Sequence, residues 1–350
     1  MKLHHSLILL FNLAFYLPSL AASNPPGLVV AWGDVIAMRS QGPPPEFAYA
    51  TEGVAIAGEP FTNATSVSAG IFHSVALRRD GTAVGWGNNV RSQAVGFPTP
   101  GIEATNGVVV INGRALTNVI SVAAGANFSL ALRTDGTVAA WGSSKMGECN
   151  VPSGLSNVIG ISAGEFHSLA LKSDGTVATW GGRKSIFSGV SNIVQVSASR
   201  SWWHDAVILR DGTVLEQLSD GEIRIPLSGS NFVAVTSGYN HGLALTRDGA
   251  VYGWGYNSGG QATGVPTWAG SRQSSGIVVI DGSPLTNAIA ISAGQEYSLA
   301  LKIDGTVVAW GNKRFYRDVP ANLKGVVAIS AGDGFCLAIT TNYVAVPSSK

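Results

Sequence analysis

The chain reads as all-β, a seven-bladed β-propeller, on three observations. A two-part repeat recurs seven times, every copy sets hydrophobic alternation on both sides of a turn signal, and the first and last copies are incomplete in complementary ways. Composition agrees with a scaffold that consumes glycine: 44 of 350 residues are glycine and only 12% are charged, against averages near 7% and about 25%. A hydrophobic content of 45% excludes a disordered, charged chain. The glycines follow no every-third pattern, which excludes collagen, and no run reaches the roughly 18 apolar residues of a membrane span.

Taken in order, Lys2, His4 and His5 open the chain and an apolar run follows from Leu7 to Leu17. Ser19 and Ala21 suit the −3 and −1 positions of a cleavage site. Residues 1–23 are expected to be a secretory signal cut near Ala21 or Ala22, leaving one propeller over 24–346 and a tail over 347–350. The segment Gly27-Leu28-Val29-Val30-Ala31-Trp32-Gly33 is a Trp-Gly half with no Ala-Gly half before it. The complete unit is clearest from Ile161 to Gly181, where Ala163-Gly164 and Trp180-Gly181 bracket Asp174-Gly175. Ala-Gly halves recur with Gly70, Gly125, Gly164, Gly238, Gly294 and Gly332, and in degenerate form at Ala198-Ser199. Trp-Gly halves recur at Trp32, Trp86, Trp141, Trp180, Trp254 and Trp310, with Leu215-Glu216 as the degenerate copy, at spacings of 54, 55, 39, 35, 39 and 56.

Asp-Gly pairs at Asp80, Asp135, Asp174, Asp211, Asp248 and Asp304, with Asn342 in the seventh place, predict two-residue type I′ hairpin turns with positive φ twice. The three long repeats add Val54 to Gly58, Val108 to Gly113 and Ile277 to Gly282, read as an extra strand or hairpin that makes three blades larger than the other four. The last Ala-Gly half, Ile329 to Ile339, has no Trp-Gly half after it. The two orphans are therefore expected to complete one blade, with the N-terminal strand closing the ring, and Tyr343 to Val346 as a competing edge strand.

Charge and chemistry narrow the functions. Outside Lys2 the chain has 21 basic and 21 acidic residues, no electrostatic footprint for nucleic acid or, after signal cleavage, for a membrane. His73, His167, His204 and His241 share one repeat position that Phe128, Tyr297 and Phe335 fill elsewhere, which reads as packing and not as a metal site. No metal ligands, no cofactor and no catalytic residues are expected, because Ser, His and Asp recur with the repeat and no glycine run opens a helix. Cys149 and Cys336 read as one half-exposed and one buried thiol, with a disulfide as the alternative.

These residues resemble the regulator of chromosome condensation repeat family, with its Ala-Gly-x-x-His-Ser-Leu-Ala-Leu, Asp-Gly-Thr-Val and Trp-Gly-x-Asn-x-x-Gly-Gln pattern. The last part is visible as Trp254-Gly255-Tyr256-Asn257-Ser258-Gly259-Gly260-Gln261 and, with variation, as Trp86-Gly87-Asn88-Asn89 with Gln93. The resemblance covers residues 27 to about 342. It implies a seven-bladed propeller that binds other proteins, with guanine-nucleotide exchange as the family's best known activity, and its short secreted members resemble the propeller-type β-lactamase inhibitory protein.

Where the repeats disagree, partner contacts are expected: Lys313-Arg314-Phe315-Tyr316-Arg317-Asp318, Ser201-Trp202-Trp203-His204-Asp205, Trp268 with Arg272, Arg91, and the loop from Phe97 to Glu103. The expected function is a secreted or periplasmic, monomeric, non-enzymatic scaffold that binds a protein through loops on one face. Alternatives are an inhibitor of an extracellular enzyme such as a β-lactamase, a carboxylate-dependent lyase or glycosidase, and nucleotide exchange.

Overall fold

The computed structural model describes residues 27–33, 52–56, 58–99, 104–183, 187–201, 204–267, 273–312 and 318–342. The expected signal segment 1–23, the segment Tyr343 to Val346 and the tail over 347–350 lie outside them. Every described element is a strand, and the main sheets are seven antiparallel blades. Blade 1 runs Ala64–Ala69, His73–Arg78, Ala83–Asn88 and Ala104–Val108, and blade 2 runs Val119–Ala124, Phe128–Arg133 and Val138–Gly142. Blade 3 is Val158–Ala163, His167–Lys172 and Val177–Gly181; blade 4 is Ile193–Ser197, His204–Leu209, Val214–Leu218 and Ile223–Arg224. Blade 5 is Phe232–Ser237, His241–Thr246, Val251–Tyr256 and Gln273–Ile277, and blade 6 is Ala288–Ala293, Tyr297–Lys302 and Val307–Gly311. In blade 7, Val326–Ala331 and Phe335–Thr340 are joined by Leu28–Gly33 and Glu52–Gly53 from the other end of the chain. Leu28–Gly33 pairs antiparallel along its whole length, from Leu28 opposite Thr340 to Gly33 opposite Phe335.

The first strand of each blade is the inner one, and a hydroxyl belt ties these strands together. Ser68 Oγ accepts the Ala124 N–H at 2.9 Å, Ser162 that of Ala198 at 2.9 Å, Ser197 that of Ser237 at 2.8 Å and Thr236 that of Ala293 at 3.3 Å. Ser292 takes the Ala331 N–H at 2.9 Å and Ser330, in blade 7, takes the Ala69 N–H of blade 1 at 3.0 Å. Ala123 occupies the equivalent place in blade 2, where the step carries no hydroxyl. All seven inner strands also carry a register shift two residues in, such as Val119/Ser121, which strengthens the local twist.

The core lies between blades. Val75 and Leu77 of blade 1 pack with Val119 and Val122 of blade 2. Full burial of each such side chain contributes roughly 1.5–3 kcal/mol, so no blade satisfies its own faces alone. The strand pattern Leu-Ala-Leu therefore alternates neighbouring blades, not core and solvent.

The Asp-Gly turns differ from the expected type. Gly81, Gly136, Gly175, Gly212, Gly249 and Gly305 take positive φ, from 75° to 88°, while their aspartates do not. Arg78 N–H bonds to Thr82 O and Gly81 N–H to Arg78 O, a type I turn followed by a left-handed glycine, hence a three-residue loop. The aspartate supplies the reason: Asp80 Oδ1 accepts the Thr82 N–H at 2.9 Å, which stabilises its right-handed conformation. True two-residue turns with positive φ at both residues occur at the added hairpins, Asn112-Gly113 and Asp281-Gly282.

Those hairpins follow the three long spacings, and each is anchored alike. Val109 N–H bonds to Ala83 O and Leu116 N–H to Val109 O, with Ala83 N–H returning to Leu116 O; Val54 with Phe61 and Val278 with Leu285 repeat the arrangement. The division into three larger blades and four smaller ones needs one correction, since blade 4 also gains a fourth strand, Ile223–Arg224, through the turn at Asp220-Gly221. A second correction concerns the degenerate copy. Asp205 pairs with Gln217 and His204 with Leu218 where Ser168 pairs with Trp180 and His167 with Gly181. Gln217-Leu218, not Leu215-Glu216, replaces Trp-Gly, and Gln217 stands 37 residues from both Trp180 and Trp254.

Candidate interaction face

Two loop sets gather at one end of the ring: those joining first to second strands, near the axis, and those leaving the third strands, outside them. Their strand ends are tied by backbone bonds, Asn88 N–H to Phe72 O, Ser143 to Asn127, Gly182 to Phe166, Tyr256 to Asn240 and Asn312 to Glu296. Nearest the axis a second belt runs between blades: Ala126 N–H to Gly164 O, Glu165 to Ser199, Arg200 to Gly238, Tyr239 to Gly294 and Asp333 to Gly70. A side chain at Gly70 would lie 2.5 Å from the Gly125 carbonyl oxygen, so glycine is required there by the neighbouring blade and not by a ligand. Arg200 occupies the position after the one equivalent to Gly70, where other blades carry Ala126, Glu165, Tyr239 and Asp333. It reaches from blade 4 to the Ala69 carbonyl of blade 1, across the axis.

The loops of blades 1 and 5 are organised from inside. Asn89 Oδ1 accepts the N–H groups of Ala94 and Val95 at 3.0 and 3.1 Å, and its Nδ2 donates to Phe97 O at 3.0 Å. Gln93 Oε1 holds the Arg91 N–H at 2.8 Å. Asn257 and Gln261 repeat these bonds with Ala262, Thr263, Val265 and Gly259. Both asparagines and both glutamines are buried; their work is to shape the loop, and what the loop shows outward is Val90, Arg91 and Phe97, or Val265.

The exposed apolar residues are distributed unevenly. Of the eight large ones among the described residues, Phe72, Val90, Phe97, Met146 and Val265 belong to this face, with exposures from 43% to 65%. The opposite face carries the Asp-Gly turns with Arg78, Arg133, Lys172, Arg210, Arg247 and Lys302 beside them. Hydrogen bonds from nearby threonines hold all six turn carboxyls below the usual carboxylate range, as in the 2.6 Å bond from Thr137 Oγ1 to Asp135. These aspartates are spent on turns, one per blade.

The shared histidine position is an interblade contact. His73 Nε2 meets Ser129 Oγ of the next blade at 2.8 Å, and His241 meets Ser298 Oγ at 2.8 Å. Burial pushes both imidazoles down to about 3, aided at His73 by the Arg200 charge and at His241 by that of His204. Each serine in turn donates to a backbone carbonyl, Ser129 to Gln93 and Ser298 to Gln261. Among the described residues no group of three His, Cys, Asp or Glu gathers for a metal. Cys149 and Cys336 are free thiols that burial pushes up to about 12, so the disulfide alternative is not realised.

Blade 4 replaces this latch with charge. Asp205 stands where the serine would be, accepting His167 Nε2 at 2.9 Å, Arg183 at 2.5 Å and the Ser199 N–H at 2.9 Å. Burial would raise the Asp205 carboxyl, but facing His167 and Arg183 hold it below its ordinary value. On the blade's other side Glu216 meets His204 Nδ1 at 2.9 Å and Arg224 Nε at 2.6 Å, and accepts the Trp254 indole N–H at 2.8 Å. The register sends Asp205 and Glu216 to opposite faces of the sheet, so they are not a facing pair of the kind a glycosidase uses.

Of the nine predicted contact residues the described part contains Arg91, which is exposed. Trp202, Trp203, Trp268, Arg272, Arg314, Phe315, Tyr316 and Arg317 lie outside the described residues; Ser201, Thr267 and Asn312, which precede them, belong to the loops of this face. Sequence reasoning pointed to the loop that begins at Phe97, which is exposed, and missed Phe72, Val90 and Met146. Their signal was an apolar residue at a loop position that holds Asn127, Ser258 or Gly259 in other copies.

The model of the regulator of chromosome condensation (RCC1) repeat matches residues 64–93, 119–148, 158–182 and 232–261. The chain carries RCC1 repeats. The matches fall on blades 1, 2, 3 and 5; charged blade 4 is among the copies passed over. Among relatives of the RCC1-repeat chain, the ultraviolet-B receptor UVR8 of Arabidopsis thaliana is 26% identical over 245 residues, 70% of this chain and 52% of that protein. The probable E3 ubiquitin-protein ligase HERC6 of Homo sapiens is 30% identical over 131 residues, 33% of this chain and 12% of that protein. The chain thus spans about half or less of the length of these curated relatives. Prp20p of Saccharomyces cerevisiae, whose structure was described with its binding to Gsp1p and histones, superposes with a TM-score of 0.67 at 18% identity, covering 95% of this chain and 94% of that one. That likeness establishes the RCC1-type propeller fold.

Proposed function

We propose that this RCC1-repeat propeller is a non-catalytic binding protein that takes a protein partner on the loop face described above. The observation that carries the reading is the concentration of Phe72, Val90, Phe97, Met146 and Val265 there, beside Arg91, while the turns of the opposite face expose one such residue, Ile303, among charged neighbours. Aromatic residues, methionine and arginine, the types of Phe72, Phe97, Met146 and Arg91, are enriched in protein interfaces. The binding of Gsp1p and histones by Prp20p supports partnership with proteins as a use of such a ring, though not those partners for this chain. The apolar run from Leu7 to Leu17 supports export, with the partner met outside the cytoplasm.

The test is affinity capture from native culture fluid with the whole chain, followed by alanine replacement in two groups. Replacing Phe72, Val90 and Phe97 together, and separately Trp202, Arg314, Phe315 and Tyr316, is expected to weaken the captured complex at least about tenfold at unchanged melting temperature. Retained capture by both folded variants contradicts the reading. If the captured partner is a hydrolase, inhibition of its turnover by the purified chain distinguishes an inhibitor from a passive scaffold.

A further inference from the structure

Among the described residues the outer edge of the third strand carries a fourth strand in blades 1, 4, 5 and 7, in two of them alike, and none in blades 2, 3 and 6. In blade 1 Ala104–Val108 lies antiparallel on Ala83–Asn88, with Val84 opposite Val108 and Gly87 opposite Thr105. In blade 5 Gln273–Ile277 lies on Val251–Tyr256 in the same register, Tyr252 opposite Ile277 and Gly255 opposite Ser274. The two occupying strands share a chemical pattern. Thr105-Asn106-Gly107-Val108 and Ser274-Ser275-Gly276-Ile277 are uncharged, begin with a hydroxyl residue and end on a β-branched one. Gly107 and Gly276 have φ of 152° and 147°, values that residues with a side chain rarely adopt.

Blade 2 presents the equivalent edge without a fourth strand. Its third strand, Val138–Gly142, pairs inward with Phe128–Arg133. Register equates Val138, Ala140 and Gly142 with Ala83, Gly85 and Gly87, the residues of blade 1 whose backbone groups point outward. The chain is described without a break from 104 to 183, and no hydrogen bond from described residues reaches the outward groups of Ala140 or Gly142. Both are partly exposed. The strand Val138-Ala139-Ala140-Trp141-Gly142 also lacks the lysine or proline that commonly guards an open edge.

We propose that the outer edge of blade 2 is a peptide-binding site, which receives an extended segment of a protein partner by β-strand addition. The segment adds antiparallel, in the register that Ala104–Val108 uses on blade 1, and carries an uncharged Ser/Thr, Asn/Ser, Gly, Val/Ile core. Backbone bonds to Ala140 and Gly142 hold it, and the glycine lets it follow the twist at the strand's end. The site lies on the rim of the ring and is independent of the loop face, so each reading fails or stands alone.

The probe is a synthetic peptide with the sequence of residues 272–278, blocked at both ends, added to the full chain at about 2 mM, the range of a weak backbone-held complex. Amide exchange is followed residue by residue. The amides of Ala140 and Gly142 are expected to exchange about tenfold more slowly, while those of Gly85 and Gly253, already paired, do not change. A peptide N-methylated at the positions of Ser274 and Gly276 removes the donors aimed at the edge and is expected to give no protection. Ala140→Pro, tolerated at an edge position, is expected to abolish protection in the folded protein; if that variant does not fold, the methylated peptide still decides. Three results overturn the proposal: no protection at that concentration, equal protection by the methylated peptide, or protection that grows with protein concentration in the absence of peptide, which would give the edge to a second copy of the chain.

Discussion

At the residue that opens each second strand, histidine and tyrosine make different bonds to the next blade. His73 and His241 face serines, whereas Tyr297 sends its hydroxyl to the Gly332 and Phe335 carbonyls at 3.1 and 2.5 Å. The sequence alone identifies this position as packing; it does not reveal that the partner sits one repeat away. The buried imidazoles make stability depend on pH in a known direction. Their folded pKa lies near 3 against 6.5 for an exposed histidine, so the unfolded chain binds the protons, and stability is full above about pH 6.5 and falls as pH drops toward 3. At pH 5 each such histidine costs on the order of 2 kcal/mol. His73→Phe, with a ring that Phe128 and Phe335 already place in this slot, is expected to reduce the fall in melting temperature between pH 7 and pH 5. Ser129 keeps its bond to the Gln93 carbonyl in that variant. An unchanged fall would show that His73 is not buried neutral.

Among elements, most strands were legible because alternation, Asp-Gly and Trp-Gly recur at fixed offsets. The turn type was not, since Asp-Gly satisfies both the two-residue and the three-residue hairpin, and the bond between aspartate and Thr82 decides. Blade 4 was read two residues out of register because its marker tryptophan had become Gln217, and only pairing with Asp205 restores the alignment. Asp220-Gly221, the turn that adds its fourth strand, was present in the sequence but falls outside the common spacing. The charged exchange in this blade carries its own prediction. Asp205→Asn keeps the shape but leaves Arg183 without its counter-ion, and unfolding by urea is expected to show a loss of about 3 kcal/mol, as when one partner of a buried pair is removed. A loss no larger than that of a surface substitution would mean that the blade 3 to blade 4 junction is held by packing alone.

Across the whole molecule the blades follow one another in a circle. The hydroxyl belt passes from Ser330 in blade 7 to Ala69 in blade 1, and the strand beginning at Leu28 brings Val29, Val30 and Trp32 into fully buried positions beside Phe335–Thr340. The complementary orphans raise closure by that strand as an expectation from the sequence, whereas the contact face was hardly readable, because most of its exposed apolar residues sit in loops that repetition does not constrain. The glycine excess belongs to the circle, and the apolar loops to whatever binds it. The most direct test compares thermal unfolding of a chain beginning at residue 24 with one beginning at residue 34. If the N-terminal strand closes the ring, the shorter chain melts about 10 °C lower or more, given three large buried side chains and an exposed blade edge. Equal melting temperatures would contradict closure by that strand.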